Sequence, residues 1–124
     1  MTESKVKRML DARIYRIAML LGVPVHILPI SDKFNTGLPD RLILTSGAPF
    51  MYEAKLDGKK YGFTKVQKGK ARLLYSDLGI KTYGIESKDM KTIKIYDSLD
   101  SEAMVVHVDH LDMMLEHMLT EAIG

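Results

Sequence analysis

Three charged residues, Asp40, Glu53 and Lys55, stand at the rims of a segment that otherwise reads as a buried hairpin, GLPDRLILTSGAPFMYEAK at residues 37–55. Two carboxylates and an amine are suited to metal-assisted chemistry on a phosphate. The acids bind a hard cation through oxygen, and the ammonium orients water or offsets charge that builds on phosphorus. RLILT and PFMYEAK read as antiparallel strands. If Ser46 and Gly47 form a two-residue turn, Asp40 falls directly opposite Glu53, with their Cβ atoms roughly 4.5 to 5.5 Å apart on one face. Carboxylates so placed repel, and there are three remedies: protonation of one acid with a raised pKa, a different register, or a cation between them. Alternation along the strand puts Lys55 on the face of Glu53 and turns Ala54 inward, leaving the Ala54 carbonyl near the rim as a further oxygen ligand. Oxygen donors alone suit Mg²⁺ or Mn²⁺. The blander alternative is a Pro-Asp turn with ordinary rim charges, since such short patterns recur by chance.

The elements that must hold these residues follow from periodicity. Val6, Leu10, Ile14, Ile17 and Leu21 recur at helical spacing, with Lys5, Arg8, Arg13 and Arg16 largely on the other side, so residues 4–21 are expected to form an amphipathic helix stopped by Gly22 and Pro24. VHIL reads as a short strand. After a basic loop, Thr64-Lys65-Val66-Gln67 is a capping-box pattern that opens a second helix, with Val66, Leu73, Leu74 and Leu78 as a loose apolar stripe ending at Gly79. IKTYGI and KTIKIY read as two more strands, and an acidic terminal helix is expected at about residues 107–123. The order α-β-β-β-α-β-β-α predicts an α+β fold, a mixed sheet flanked by helices.

At 124 residues with 46% hydrophobic content, the chain fits one domain, residues 1–124, able to close a core. It has no Cys, which excludes disulfides and thiolate metal sites, so any bound cation needs oxygen or imidazole. No apolar stretch reaches the roughly 20 residues of a membrane helix, and the polar N-terminus does not read as a signal peptide, so a cytoplasmic location is expected. The net charge of +2 hides a division along the chain. Residues 1–94 hold all 18 Lys and Arg against nine acids, and the other seven acids follow. A basic body suits a polyanionic partner such as DNA, although basic surfaces also serve solubility.

Gly37-Leu38-Pro39-Asp40, then Glu53-Ala54-Lys55, then Gln67 at a helix start resemble the PD-(D/E)xK nuclease superfamily, in particular its virus-type replication-repair nuclease (VRR-NUC) branch. The likeness runs from about Glu3 to Ile85. It implies a restriction-endonuclease-like core and a divalent-metal-dependent DNA endonuclease, with Mg²⁺ as cofactor and Mn²⁺ as substitute. Known members, many from phages, include small dimeric enzymes that resolve branched junctions. A homodimer acting on branched DNA, in a host cytoplasm if the chain is phage-encoded, is therefore the implied setting. Carried over residue by residue, the resemblance makes Asp40 and Glu53 metal ligands, helped by the Ala54 carbonyl, Lys55 the catalytic lysine and Gln67 a support. Glu3 is the candidate for an acid contributed by the first helix. Linear or single-stranded DNA as substrate, a non-catalytic DNA-binding module and an RNA-directed domain are the alternative readings.

Several other residues have two readings. Gln67 has a complete explanation as a cap, and Glu3 as an acid favoured at a helix N-terminus. Lys59, Lys60, Lys65, Lys68, Lys70 and Arg72, interleaved with Tyr61 and Phe63, are placed to grip a DNA backbone without reading sequence, and Lys5, Lys7 and Arg8 extend that track. His107, His110 and His117 with Asp109 and Asp112 do not match a zinc-protease spacing and read as surface residues. Leu111, Met114, Leu115, Met118 and Ala122 form a helical stripe whose usual meaning is core packing, with a dimer seam as the alternative.

Overall fold

A computed structural model of the protein describes residues 2–31, 37–56 and 62–124. Helix α1 (Glu3–Leu21) starts at Thr2, whose hydroxyl accepts the Lys5 N–H, and ends at Gly22 in the left-handed conformation. Four of its five periodic apolar residues are buried. Leu21, at the last turn, lies beyond the core and is exposed. Strands β1 (His26–Pro29), β2 (Arg41–Leu44) and β3 (Phe50–Lys55) lead to α2 (Lys65–Leu78). Then come β4 (Lys81–Ser87), β5 (Thr92–Tyr96), β6 (Ala103–His107), a single 3-10 turn and α3 (Leu111–Ile123).

The six strands form one sheet in sequence order, antiparallel except for the central β3–β4 pair. Parallel neighbours require a crossover, and α2 supplies it. Phe50, Tyr52 and Ala54 of β3 point into the main core, where α1 and α3 pack. Alternation then sends Met51, Glu53 and Lys55 to the face that α2 covers. The two covering layers differ greatly. On α3, Leu111, Leu115, Met118 and Leu119 are buried, so the methionine stripe is core and not a dimer seam. Arg13 and Arg16 of α1 lock that helix to Asp112. On α2 no residue is buried, and Val66, Leu73 and Leu78 of the expected apolar stripe are exposed. Only Leu74 is partly covered.

Two further features depart from the sequence-based expectation. The mixed sheet flanked by helices is present, but it has a sixth strand, β6. His107 closes that strand, so the last helix begins at Leu111 instead of near 107. The β2–β3 connection is also longer than a two-residue turn. Pairing stops at Ile43–Phe50, and residues 45–49 swing out to dock on the end of α3, where the Ala48 N–H donates to the Ala122 carbonyl at 2.7 Å. Thr45 Oγ1 braces this loop, accepting from the Gly47 N–H at 3.0 Å and donating to the Ala48 carbonyl at 3.1 Å. The register survives the change. Arg41 pairs with Tyr52 and Leu42 with Met51, the alignment that sets Asp40 level with Glu53.

Candidate active site

The proline and the backbone fix Asp40 just before β2. Pro39 is fully buried, and the Asp40 carbonyl accepts from the Ile30 N–H at 2.9 Å and from Arg41 Nη1 at 3.2 Å. Its carboxylate then reaches across to β3, where Oδ2 accepts the Ala54 N–H at 2.8 Å. In an antiparallel ladder the N–H and C=O of one residue face the same neighbour. The Ala54 carbonyl therefore opens toward the same side, past the last ladder pair.

Glu53 is 4% exposed, an unusual setting for a carboxylate. Its Oε1 accepts from Gln67 Nε2 at 3.1 Å and lies 4.0 Å from Lys55 Nζ. Oε2 is buried without a hydrogen-bond partner among the described residues, a state that normally costs a carboxylate upwards of roughly 1–3 kcal/mol. Burial first, and the neighbouring Asp40 charge second, push the Glu53 carboxyl up to about 8. Lys55 opposes the rise, and Glu3 adds to it. Two of the three remedies for the repulsion thus remain compatible with this geometry, protonation and a cation, while a different register is excluded.

Gln67 holds both of its expected positions at once. Its Oε1 accepts from the Thr64 N–H while its own N–H donates to Thr64 Oγ1, completing the capping box, and its Nε2 is left to reach Glu53. Glu3, in the first turn of α1, is within electrostatic reach of Glu53. Among the described residues, however, no three His, Asp or Glu side chains converge as a ligand set. Lys5 and Arg8 lie exposed on α1, and Lys65, Lys68, Lys70 and Arg72 run along α2, with Arg72 3.7 Å from Asp100. Lys59 and Lys60 lie outside the described residues. The histidines do not gather: His107 bonds locally to Asp109, and His117 lies beside Glu121.

Sequence reasoning missed a polar network behind the acids. The Tyr52 hydroxyl donates to Asp11 Oδ1 at 2.6 Å, and Arg41 Nε donates to Asp11 Oδ2 at 3.0 Å. Burial, reinforced by the bond to Asp11, raises the Tyr52 phenol far above its ordinary range, so it stays a donor. Glu3, Lys7 and Asp11 recur every four residues, which places all three on one face of α1, and that spacing was the available signal. Lys7, assigned to a DNA track from sequence, sits 3.6 Å from Asp40 Oδ1.

The residues fit a divalent cation. An orphaned buried carboxylate oxygen, a second acid that raises its pKa and a rim carbonyl are the hard oxygen donors such an ion takes, with Lys55 and Lys7 already facing the two acids.

No family model and no curated protein matches the sequence. Thirteen chains of solved structures match it. Among them is Hjc, a Holliday junction resolvase from the archaeal hyperthermophile Archaeoglobus fulgidus, with a TM-score of 0.57, 8% identity and coverage of 85% of this chain and 86% of that one. Likeness at that identity establishes the restriction-endonuclease-like fold.

Proposed function

We propose that the chain is a divalent-metal-dependent DNA endonuclease of the PD-(D/E)xK type that cuts branched DNA, such as four-way junctions or flaps. The observation that carries this reading is the Asp40–Glu53 pair, aligned by the β2–β3 register, in which Glu53 keeps a buried oxygen without a partner among the described residues while its other oxygen lies 4.0 Å from Lys55 Nζ. The fold shared with a Holliday junction resolvase supports the choice of branched DNA over a linear duplex. The sequence resemblance supports the virus-type branch of the superfamily.

Asp40 and Glu53 would hold Mg²⁺, or Mn²⁺ in its place, with the Ala54 carbonyl as a third oxygen and Glu3 adding negative field from α1. When bound, the ion supplies a Lewis acid that draws charge from a phosphoryl oxygen and makes water acidic enough to react near neutral pH. Gln67 fixes the rotamer of Glu53 through Oε1, leaving Oε2 facing the site. Lys55 places its ammonium beside the attacking water and the phosphate, offsetting negative charge as the water oxygen bonds to phosphorus. The water releases its proton to solvent, a backbone P–O bond breaks in the same displacement, and the departing oxygen takes a proton from solvent. The basic residues of α1 and α2 hold the backbone in place by charge. A homodimer would present two such centres, one for each strand to be cut.

The test incubates the protein with matched junction, flap, linear and single-stranded DNAs in Mg²⁺, in Mn²⁺ or with EDTA. Cleavage of the branched substrates with metal alone is expected. Asp40→Asn should abolish cutting and retain DNA binding. Inertness toward every substrate in both metals would refute the enzyme and leave a DNA-binding module.

A further inference from the structure

The two carboxylates of the site are not equally open to a cation. Glu53 keeps Oε2 without a hydrogen-bond partner among the described residues, whereas both Asp40 oxygens are engaged: Oδ2 by the Ala54 N–H at 2.8 Å, and Oδ1 by the Lys7 ammonium at 3.6 Å. Both side chains of the Lys7–Asp40 pair are mostly covered, with about a fifth of each exposed, so solvent screens the contact only in part. Lys7 reaches this place from α1, one turn beyond Glu3 and one turn before Asp11. Its own carbonyl accepts from the Tyr52 hydroxyl at 3.3 Å, which ties that turn to β3. The oxygen that a metal ion would take from Asp40 is thus the one an internal cation already occupies.

We propose that Lys7 is a positioning residue of this centre, standing in for the metal at Asp40 in the free protein and transferring its ammonium to a DNA phosphate when substrate binds. The inference rests on the metal site proposed above. A lysine on its flexible stem is a point charge able to make either contact. Because the ion and the ammonium compete for Asp40 Oδ1, metal binds weakly to the free protein. A phosphate that draws Lys7 away strengthens metal binding, and by linkage metal strengthens DNA binding by the same factor. Lys55 has no such part, since it faces Glu53, whose second oxygen stays open.

Lys7→Met keeps the stem and removes the charge, and the Tyr52 hydroxyl retains its bond to the main chain. Lys5→Met makes the same change in net charge two residues away, at an exposed position without an ion pair among the described residues. Titration calorimetry of Mg²⁺ into metal-free protein should show two- to five-fold tighter binding for Lys7→Met than for wild type, the range expected of a partly covered ion pair, and a smaller gain for Lys5→Met. With Ca²⁺ as a non-cleaving probe, adding junction DNA should tighten binding to wild type more than to Lys7→Met. Should Lys7→Met fail to give a cooperative melt, Lys7→Gln is measured in the same way. Equal Mg²⁺ affinity in Lys7→Met and Lys5→Met, with measurable binding by wild type, overturns the role of Lys7 and leaves the metal site standing. Absence of binding by all three proteins overturns both.

Discussion

Glu53 should make the metal-free protein less stable as pH rises, and Glu53→Gln should abolish that dependence. The folded carboxyl titrates at about 8 against an ordinary 4.5, because it is buried and faces Asp40. Between those two values the folded chain holds a proton that the unfolded chain has released, so stability is complete below about pH 4.5 and declines as pH climbs through 8. At about 1.4 kcal/mol per pH unit, the full window sets a ceiling of about 5 kcal/mol. Relaxation around Lys55 lowers it, and a loss of about 2 to 4 kcal/mol between pH 5 and 8.5 is expected. Urea unfolding in EDTA at half-unit pH steps measures it. Wild type and Glu53→Gln should coincide near pH 5 and separate at pH 8.5, with the variant the more stable of the two, although inactive. Excess Mg²⁺ should flatten the wild-type profile by supplying the missing charge. Parallel profiles for the two proteins would refute the account of Glu53 as a strained carboxylate.

Two further perturbations probe the frame. A Cβ at Gly47 would lie 2.2 Å from the Ala122 carbonyl oxygen, so Gly47→Ala should undock the 45–49 loop from α3 at a cost of about 1 to 3 kcal/mol; an unchanged urea midpoint would contradict the close approach. Thr64→Ala removes only the helix cap and should cost about 1 kcal/mol with little effect on cleavage, whereas Gln67→Ala should cost a similar amount and also slow cleavage, measured on the same junction substrate.

The legible parts of this fold were those governed by local periodicity. The first helix, the capping box at Thr64 and the alternation in PFMYEAK depend on neighbours a few residues apart, so the sequence displays them directly. Register was legible for a different reason. Although the connection from β2 to β3 is not the short turn inferred, it opens symmetrically about Ser46 and Gly47, so Arg41–Tyr52 and Ile43–Phe50 keep the register a tight turn would set, and Asp40 stays level with Glu53. Strand β6 was missed because Met104 and Val105 are both exposed, leaving no one-sided pattern to read. The apolar residues of α2 misled in the opposite sense, since helical spacing does not reveal whether a second layer exists to cover them. Lys7 went unrecognised because its partner lies 33 positions away, a meeting arranged by packing of α1 on the sheet.

Strand β6 forms one margin of the sheet, and its central residues carry neither lysine nor proline to discourage a neighbouring molecule from adding a strand of its own. Glu102 and Asp109, just before and just after the strand, are exposed carboxylates. Two copies of the same border would set these acids against each other by mutual repulsion, a fence of like charge. Such a fence lowers when its carboxylates gain protons or when concentrated salt veils them, and those are the storage conditions under which filaments or haze would first form.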